Sequence, residues 1–229
     1  MKFVLQSLTI NVTNCDMKSR MIGGSAEKRK HGEMLPSTIR AIICGPSNCG
    51  KTYVLISLLE SPNGVSVYVY SKSLQQPKYR YLENLFMSID EIGCFTFSNS
   101  SDVVPPSEAR LNSIFIFDDV ECDKQDAVRE YFSMGRHANV DCFCLCQTYA
   151  RIPKHLIRDN ANLLILFKQD CTNLKHVYND HVNTDMSYDE FCLLCRDCWQ
   201  KKYGFLVIDK KSAFKDGRYR KGFNEFAIL

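Results

Sequence analysis

The segment "IRAIICGPSNCGKTYVLISLL", residues 39 to 59, constrains this chain more than any other. An apolar run ends at Gly45, the loop "GPSNCGKT" follows, and apolar residues then resume at helical spacing. The loop fits the pattern G-x-x-x-x-G-K-[ST]. Gly45 and Gly50 let the backbone curl so that its N–H groups converge on phosphate oxygens. A helix starting near Lys51 turns its positive end toward the same anion. Pro46, Ser47, Asn48 and Cys49 complete the loop. Lys51 is placed for the β- and γ-phosphates and Thr52 for a metal ion, so ATP and Mg2+ are the expected ligands. Cys49 is either a small filler or an alkylation-sensitive thiol, because positive surroundings favour thiolate.

The rest of the chain supplies the strands and helices that such a loop needs. Short apolar runs end near residues 44, 71, 119, 147, 167 and 209, and they are rich in β-branched, aromatic and Cys residues. Helical segments are predicted near 51–60, 78–88, 124–138, 153–159, 171–181 and 187–200. This alternation predicts an α/β fold, a three-layer P-loop NTPase with a mainly parallel sheet and helices on both faces.

A length of 229 residues suits one such domain with little to spare. Residues 1–34 are expected to hold an N-terminal strand and a flexible basic linker with a Gly-Gly-Ser break and a Lys-Arg-Lys cluster. Residues 35–210 form the P-loop ATPase domain, and 211–229 form a basic-aromatic tail. The net charge of +3 permits an anionic partner without demanding one. Five of the twelve cysteines fall in apolar, strand-like runs, and the apolar start of "MKFVLQSLTINVTN" is broken early by polar residues. A reducing compartment, nucleus or cytoplasm, is therefore expected. The apolar stretches are all shorter than the ~20 residues needed to cross a bilayer, so no membrane partner is expected.

The run "SIFIFDDVE" ends in two carboxylates. At the C-terminal end of a parallel strand they would face the ligand crevice. Asp118 is the candidate Mg2+ residue, and Asp119 the candidate for orienting an attacking water; capping the next helix is the alternative for Asp119. The run "CFCLCQTY" repeats the device with Gln147, a polar amide suited to touch both γ-phosphate and water. Arg136, Arg151 and Arg158 are the candidate arginine fingers, reaching a neighbouring subunit's phosphate, each also open to a structural ion pair.

Other phosphate-loop classes fit less well. Guanine recognition needs an [NT]-K-x-D strand end, and "FKQD" places Phe167 at its polar position. A small-molecule kinase needs a lid carrying several arginines. A nucleoside or nucleotide kinase and a degenerate nucleotide-binding scaffold remain the rivals to a hydrolytic motor.

Four stretches, "GPSNCGKT", "FIFDDV", "LCQTYARIPKHLIRDNANLLILF" and "YGFLVID", resemble the poxvirus-type genome-packaging ATPases of the FtsK–HerA superfamily. The version carried by Polinton/Maverick (adintovirus-like) elements is the most similar. The resemblance spans roughly residues 35–228. It implies a RecA-like core with the sensor strand between the phosphate-loop strand and the Asp-Asp strand. It also implies a homo-oligomeric ring that drives double-stranded DNA into a capsid through a capsid or portal-vertex protein. Lys51 and Thr52 carry over as the phosphate and Mg2+ residues, Asp118 and Asp119 as the acidic motif, and Gln147 as the glutamine sensor. One departure is Asp-Asp where much of the superfamily has Asp-Glu.

DNA contacts would have to come from loops and tails. Lys72, Lys78 and Arg80 alternate with Tyr79 and Tyr81, in keeping with either phosphate tracking or an amphipathic helix with a solvated face. The tail "DKKSAFKDGRYRKGFNEF" offers a second basic and aromatic surface. Cys192, Cys195 and Cys198 stand at three-residue steps, which suits zinc if His176 or His181 completes the set, and equally suits the buried stripe of a helix.

Overall fold

Alternate residues of the apolar runs point to opposite faces, and two helical layers cover them. In the computed structural model, residues 2–6, 10, 35–59, 66–87, 93–118 and 125–228 are described. Asp119 and the expected basic linker lie outside them. The elements in chain order are β1 (Lys2–Leu5), β2 (Arg40–Cys44), α1 (Lys51–Leu59), β3 (Val67–Tyr70), α2 (Pro77–Met87), β4 (Cys94–Phe97) and β5 (Ile114–Asp118). They continue with α3 (Asp126–Met134), β6 (Asp141–Cys146), β7 (Leu163–Phe167), α4 (Cys171–His181), α5 (Tyr188–Cys198), β8 (Phe205–Asp209), β9 (Tyr219–Lys221) and β10 (Glu225–Ile228).

The strands form one sheet in the order β1-β10-β9-β8-β7-β2-β6-β5-β3-β4. From β7 to β4 the neighbours are parallel. From β7 to β1 they are antiparallel. β6 lies between β2 and β5, which places the expected sensor strand between the phosphate-loop strand and the acidic strand. Ala41 and Ile43 of β2 pack with Val54, Leu55 and Leu58 of α1 and with Leu82 of α2. Ile42 and Cys44 face the other layer, with Val128 of α3, Val177 of α4 and Leu194 of α5. Both faces are covered, so the central strands read as unbroken apolar runs.

The helix boundaries follow from local chemistry. Ser187 and Glu190 form a reciprocal capping box at the start of α5. Asp170 caps α4 by accepting from the Asn173 backbone N–H at 2.7 Å. That assigns the aspartate of "FKQD" to a helix end. On α5, Phe191, Leu194, Cys195 and Cys198 form the buried stripe. Burial pushes the Cys198 thiol up to about 12 and also raises that of Cys195, as expected of thiols packed in an apolar stripe. Among the described residues, no group of three or more Cys, His, Asp or Glu is placed to hold a metal ion.

Three expectations change. The segment near 153–159 is not a regular helix: Lys154–Arg158 is one irregular turn, with His155 extended and Leu156 at φ 70°. A short strand, β4, occupies 94–97, where Cys94 marks one of the apolar, strand-like runs although no separate strand is predicted there. The segment taken as a basic-aromatic tail contributes β9 and β10, and β1 pairs with β10. Its basic character misled because Arg220 is buried, donating to the Gly217 carbonyl at 2.6 Å and pairing with buried Asp209 at 3.2 Å. Tyr219 and Phe223 are likewise core residues.

Candidate active site

β2, near the middle of the ten-stranded sheet and flanked by β7 and β6, delivers the chain to Gly45. The Gly45 N–H donates to the Cys146 carbonyl at 3.1 Å, tying the loop to the sensor strand. A Cβ at Gly45 would lie 2.6 Å from Phe167 Cβ and 2.7 Å from Cys49 Sγ. Gly50 has φ 106°, a conformation that side chains rarely adopt, and Asn48 has φ 60°. The chain thus passes through two left-handed residues before α1 begins at Lys51, leaving the helix N-terminus open to an anion. The Lys51 ammonium bends back over the loop, donating to the carbonyls of Gly45 at 2.5 Å and Pro46 at 3.0 Å.

A cleft of about 1220 Å³ opens over this loop. Ser47, Asn48, Cys49, Gly50, Lys51 and Thr52 line one side. Asp118, at the tip of β5, and Gln147, just past the tip of β6, line it too. The register explains the convergence: Cys44 pairs with Cys146, and Asp118 with Leu145, so the three strand tips end level. Thr52 and Asp118 offer hydroxyl and carboxylate oxygens, a donor set suited to Mg2+ beside a phosphate. Asp118 is buried, and its Oδ2 accepts from Lys78 Nζ at 2.8 Å and from the Tyr79 hydroxyl.

The three candidate arginines separate cleanly. Arg151 lines the cleft and is exposed to solvent there. Arg158 is only 8% exposed and donates to Asp180 Oδ2 at 2.7 Å, beneath the Tyr149 ring. It is the structural ion pair of the two readings, because a buried guanidinium locked to a buried carboxylate is not free to reach a phosphate. Arg136 sits just before β6, at the end of the sheet remote from the cleft, with its charge near Arg40.

Two other expectations shift. The Cys49 thiol is raised, not lowered, because burial outweighs the Lys51 charge. Lys78 turns into the cleft and Tyr79 into the core, which removes both from the candidate DNA surface; Arg80 stays exposed. One residue that the motifs did not announce supports the loop from below. The Gln169 side-chain amide donates to the Cys44 carbonyl at 3.3 Å and the Phe167 carbonyl at 3.0 Å, bracing β2 against β7. Its position two residues past a strand tip was the available signal.

A glycine-bounded phosphate loop between a central parallel strand and a helix, with an acidic strand tip two strands away, defines the P-loop NTPase fold. Solved structures place it among such proteins. The genome-packaging NTPase B204 of Sulfolobus turreted icosahedral virus 2, in complex with AMP, superimposes with a TM-score of 0.55 at 14% identity, covering 76% of this chain and 94% of that one. B204, the DNA-packaging ATPase of Sulfolobus turreted icosahedral virus, gives 0.55 at 17% identity, covering 76% and 93%. EssC (ATPases 2 and 3) of Geobacillus thermodenitrificans gives 0.51 at 12% identity, covering 84% of this chain and 39% of that one. No family model and no curated protein matches the sequence.

Proposed function

We propose that this chain is an ATP-hydrolysing motor that moves double-stranded DNA into a capsid, as a homo-oligomeric ring that docks on a capsid or portal-vertex protein. The observation that carries the reading is the convergence of Lys51, Thr52, Asp118, Gln147 and Arg151 on one cleft. The overlap with the B204 packaging ATPases along most of both chains favours that motor over other P-loop enzymes. The motif order favours the poxvirus-type lineage and its Polinton/Maverick branch, with action in the host nucleus or cytoplasm.

The loop amides of residues 45–52 bind the phosphates, and Lys51 exchanges its two loop carbonyls for phosphate oxygens. Thr52 and Asp118 would hold Mg2+, which supplies charge neutralisation at the β- and γ-oxygens. Mg2+ there would compete with Lys78 for the Asp118 carboxylate. Asp119, adjacent in sequence, orients the attacking water and accepts its proton. Gln147 stands beside the Asp118 tip and reports the γ-phosphate to the β6–β7 segment. Arg151, in the cleft of its own chain, stabilises charge on the transferring phosphoryl group.

The test is the ATPase rate with and without duplex DNA, in wild type and Asp119→Asn, with the oligomer mass measured alongside. The motor reading expects DNA-stimulated turnover by an oligomer and its loss in the variant. Turnover that needs a small acceptor and ignores DNA would instead identify a kinase. Binding without turnover would identify a scaffold.

A further inference from the structure

The cleft has two flanks. Asp118, Gln147 and Arg151 come from β5, β6 and the turn after β6, all on one side of the phosphate-loop strand. β7 and β8 lie on the other side. A triphosphate whose terminal phosphate faces the first flank has the second flank open to its nucleoside.

Tyr203 waits there. It stands two residues before Phe205, the start of β8, which pairs with Phe167 at the tip of β7. Tyr203 lines the cleft and is 54% exposed. Its Cβ lies 3.8 Å from where a Cβ of Gly50 would stand, so it rises directly beside the phosphate loop. Tyr81, the other cleft aromatic of comparable exposure, belongs to α2 on the Asp118 side.

The backbone holds Tyr203 in place at a cost. Its φ is 65°, a conformation that glycine adopts freely and an aromatic residue does not. The turn is closed by the Gly204 N–H donating to the Lys201 carbonyl at 2.9 Å. A Cβ on Gly204 would fall 2.3 Å from the Cys198 carbonyl oxygen, so the chain cannot relax by swapping the two residues. The Lys202 ammonium lies 5.0 Å from the ring centre, giving the platform a positive charge suited to an anionic ligand. A large exposed ring on a strained backbone, beside a phosphate site, calls for a functional reason.

We propose that the Tyr203 ring is the stacking platform for the nucleobase of the nucleoside triphosphate held by the phosphate loop. This rests on the phosphate-binding part of the reading above. Stacking on an aromatic ring uses the π-face that every base has. Tyr203 therefore contributes nucleotide affinity without touching the phosphates.

Calorimetric titration with the non-hydrolysable analogue AMPPCP and with inorganic tripolyphosphate, both with Mg2+, separates the parts. Tyr203→Gly should weaken AMPPCP about ten- to a hundred-fold, the range of one base–aromatic stack. It should leave tripolyphosphate unchanged, and its melting temperature should equal or exceed that of wild type, since glycine relieves the backbone. Tyr203→Phe should bind AMPPCP within about threefold of wild type, because the ring is kept. Unchanged AMPPCP affinity in Tyr203→Gly overturns the proposal. So does an equal loss for both ligands, which would mean that Tyr203 only shapes the loop. If wild type binds neither ligand, or Lys51→Ala alters neither affinity, the phosphate-loop reading itself fails and the stacking platform falls with it.

Discussion

The Lys78 ammonium lies 2.8 Å from Oδ2 of Asp118, the carboxylate oxygen that also accepts from the Tyr79 hydroxyl. Both donors belong to the first turn of α2, so that helix is fastened to the tip of the acidic strand. Lys78 supplies a countercharge to a carboxylate that is 4% exposed. Under the proposed function, a cation arriving with nucleotide would compete with it for that carboxylate.

Lys78→Met should therefore act in two opposite ways. Without divalent metal the variant should lose about 1–2 kcal/mol of stability, because a buried carboxylate loses its partner while the half-exposed lysine returns to water. With nucleotide present, the Mg2+ concentration for half-maximal turnover should fall by about fivefold, the equivalent of roughly 1 kcal/mol. Denaturant melts in EDTA and Mg2+ titrations of the ATPase rate check both. An unchanged Mg2+ requirement would show that the ion pair does not compete with metal.

Arg151 and Arg158 should part in the same experiment. Arg158→Ala leaves Asp180 with the longer 3.4 Å pairing to Lys154 and the Tyr149 hydroxyl at 3.2 Å, and should cost about 3 kcal/mol of stability. Arg151→Ala should leave the melting temperature within a degree or so, since an exposed side chain is lost, but reduce turnover by about 10³-fold if it acts on the phosphoryl group. Thermal melts beside steady-state rates would expose a reversal of the two roles.

Gly45→Ala should abolish tight phosphate binding. The added methyl meets Phe167 Cβ at 2.6 Å, an atom fixed by the β7 backbone that no rotamer change can move. A loss of at least about tenfold in nucleotide affinity is expected, with about 1–3 kcal/mol of destabilisation from overpacking. Cys49→Ala is the control for the other close atom, and it should bind nucleotide nearly as wild type does.

His181 gives stability a pH dependence. Burial lowers its pKa to about 3, and its Nε2 lies 2.7 Å from the Tyr149 hydroxyl. The unfolded chain binds a proton near pH 6.5 while the folded chain does not, so stability falls as pH drops through 6.5 and goes on falling to about 3. The slope between pH 6.5 and 4.5, above most carboxylate titrations, should be reduced in His181→Gln by close to one proton's worth. Urea melts across that window measure it.

The legible parts of this molecule were those that repeat a strong local pattern. The loop from Gly45 to Thr52 and the strand tips at Asp118 and Gln147 could be placed because an apolar run that ends in a polar residue has few other uses. The parallel core was visible for the same reason. β9 was not, since three residues carry no period, and the burial of Arg220 depends on Asp209, eleven positions away in the chain. The fate of Lys78 was equally hidden: a charge on an amphipathic helix reads as solvated until a carboxylate forty residues on is seen opposite it. Tyr203 shows the same limit, because nothing about a tyrosine read in sequence marks a left-handed backbone.

The central claim is that ATP turnover in the cleft moves duplex DNA. The most direct measurement is displacement of a triplex-forming oligonucleotide from a linear duplex, followed with time in the presence of ATP and Mg2+. Wild type should strip the third strand only while ATP is hydrolysed, and Lys51→Ala and Asp119→Asn should leave it bound. Steady ATP hydrolysis with the third strand undisturbed would contradict the account.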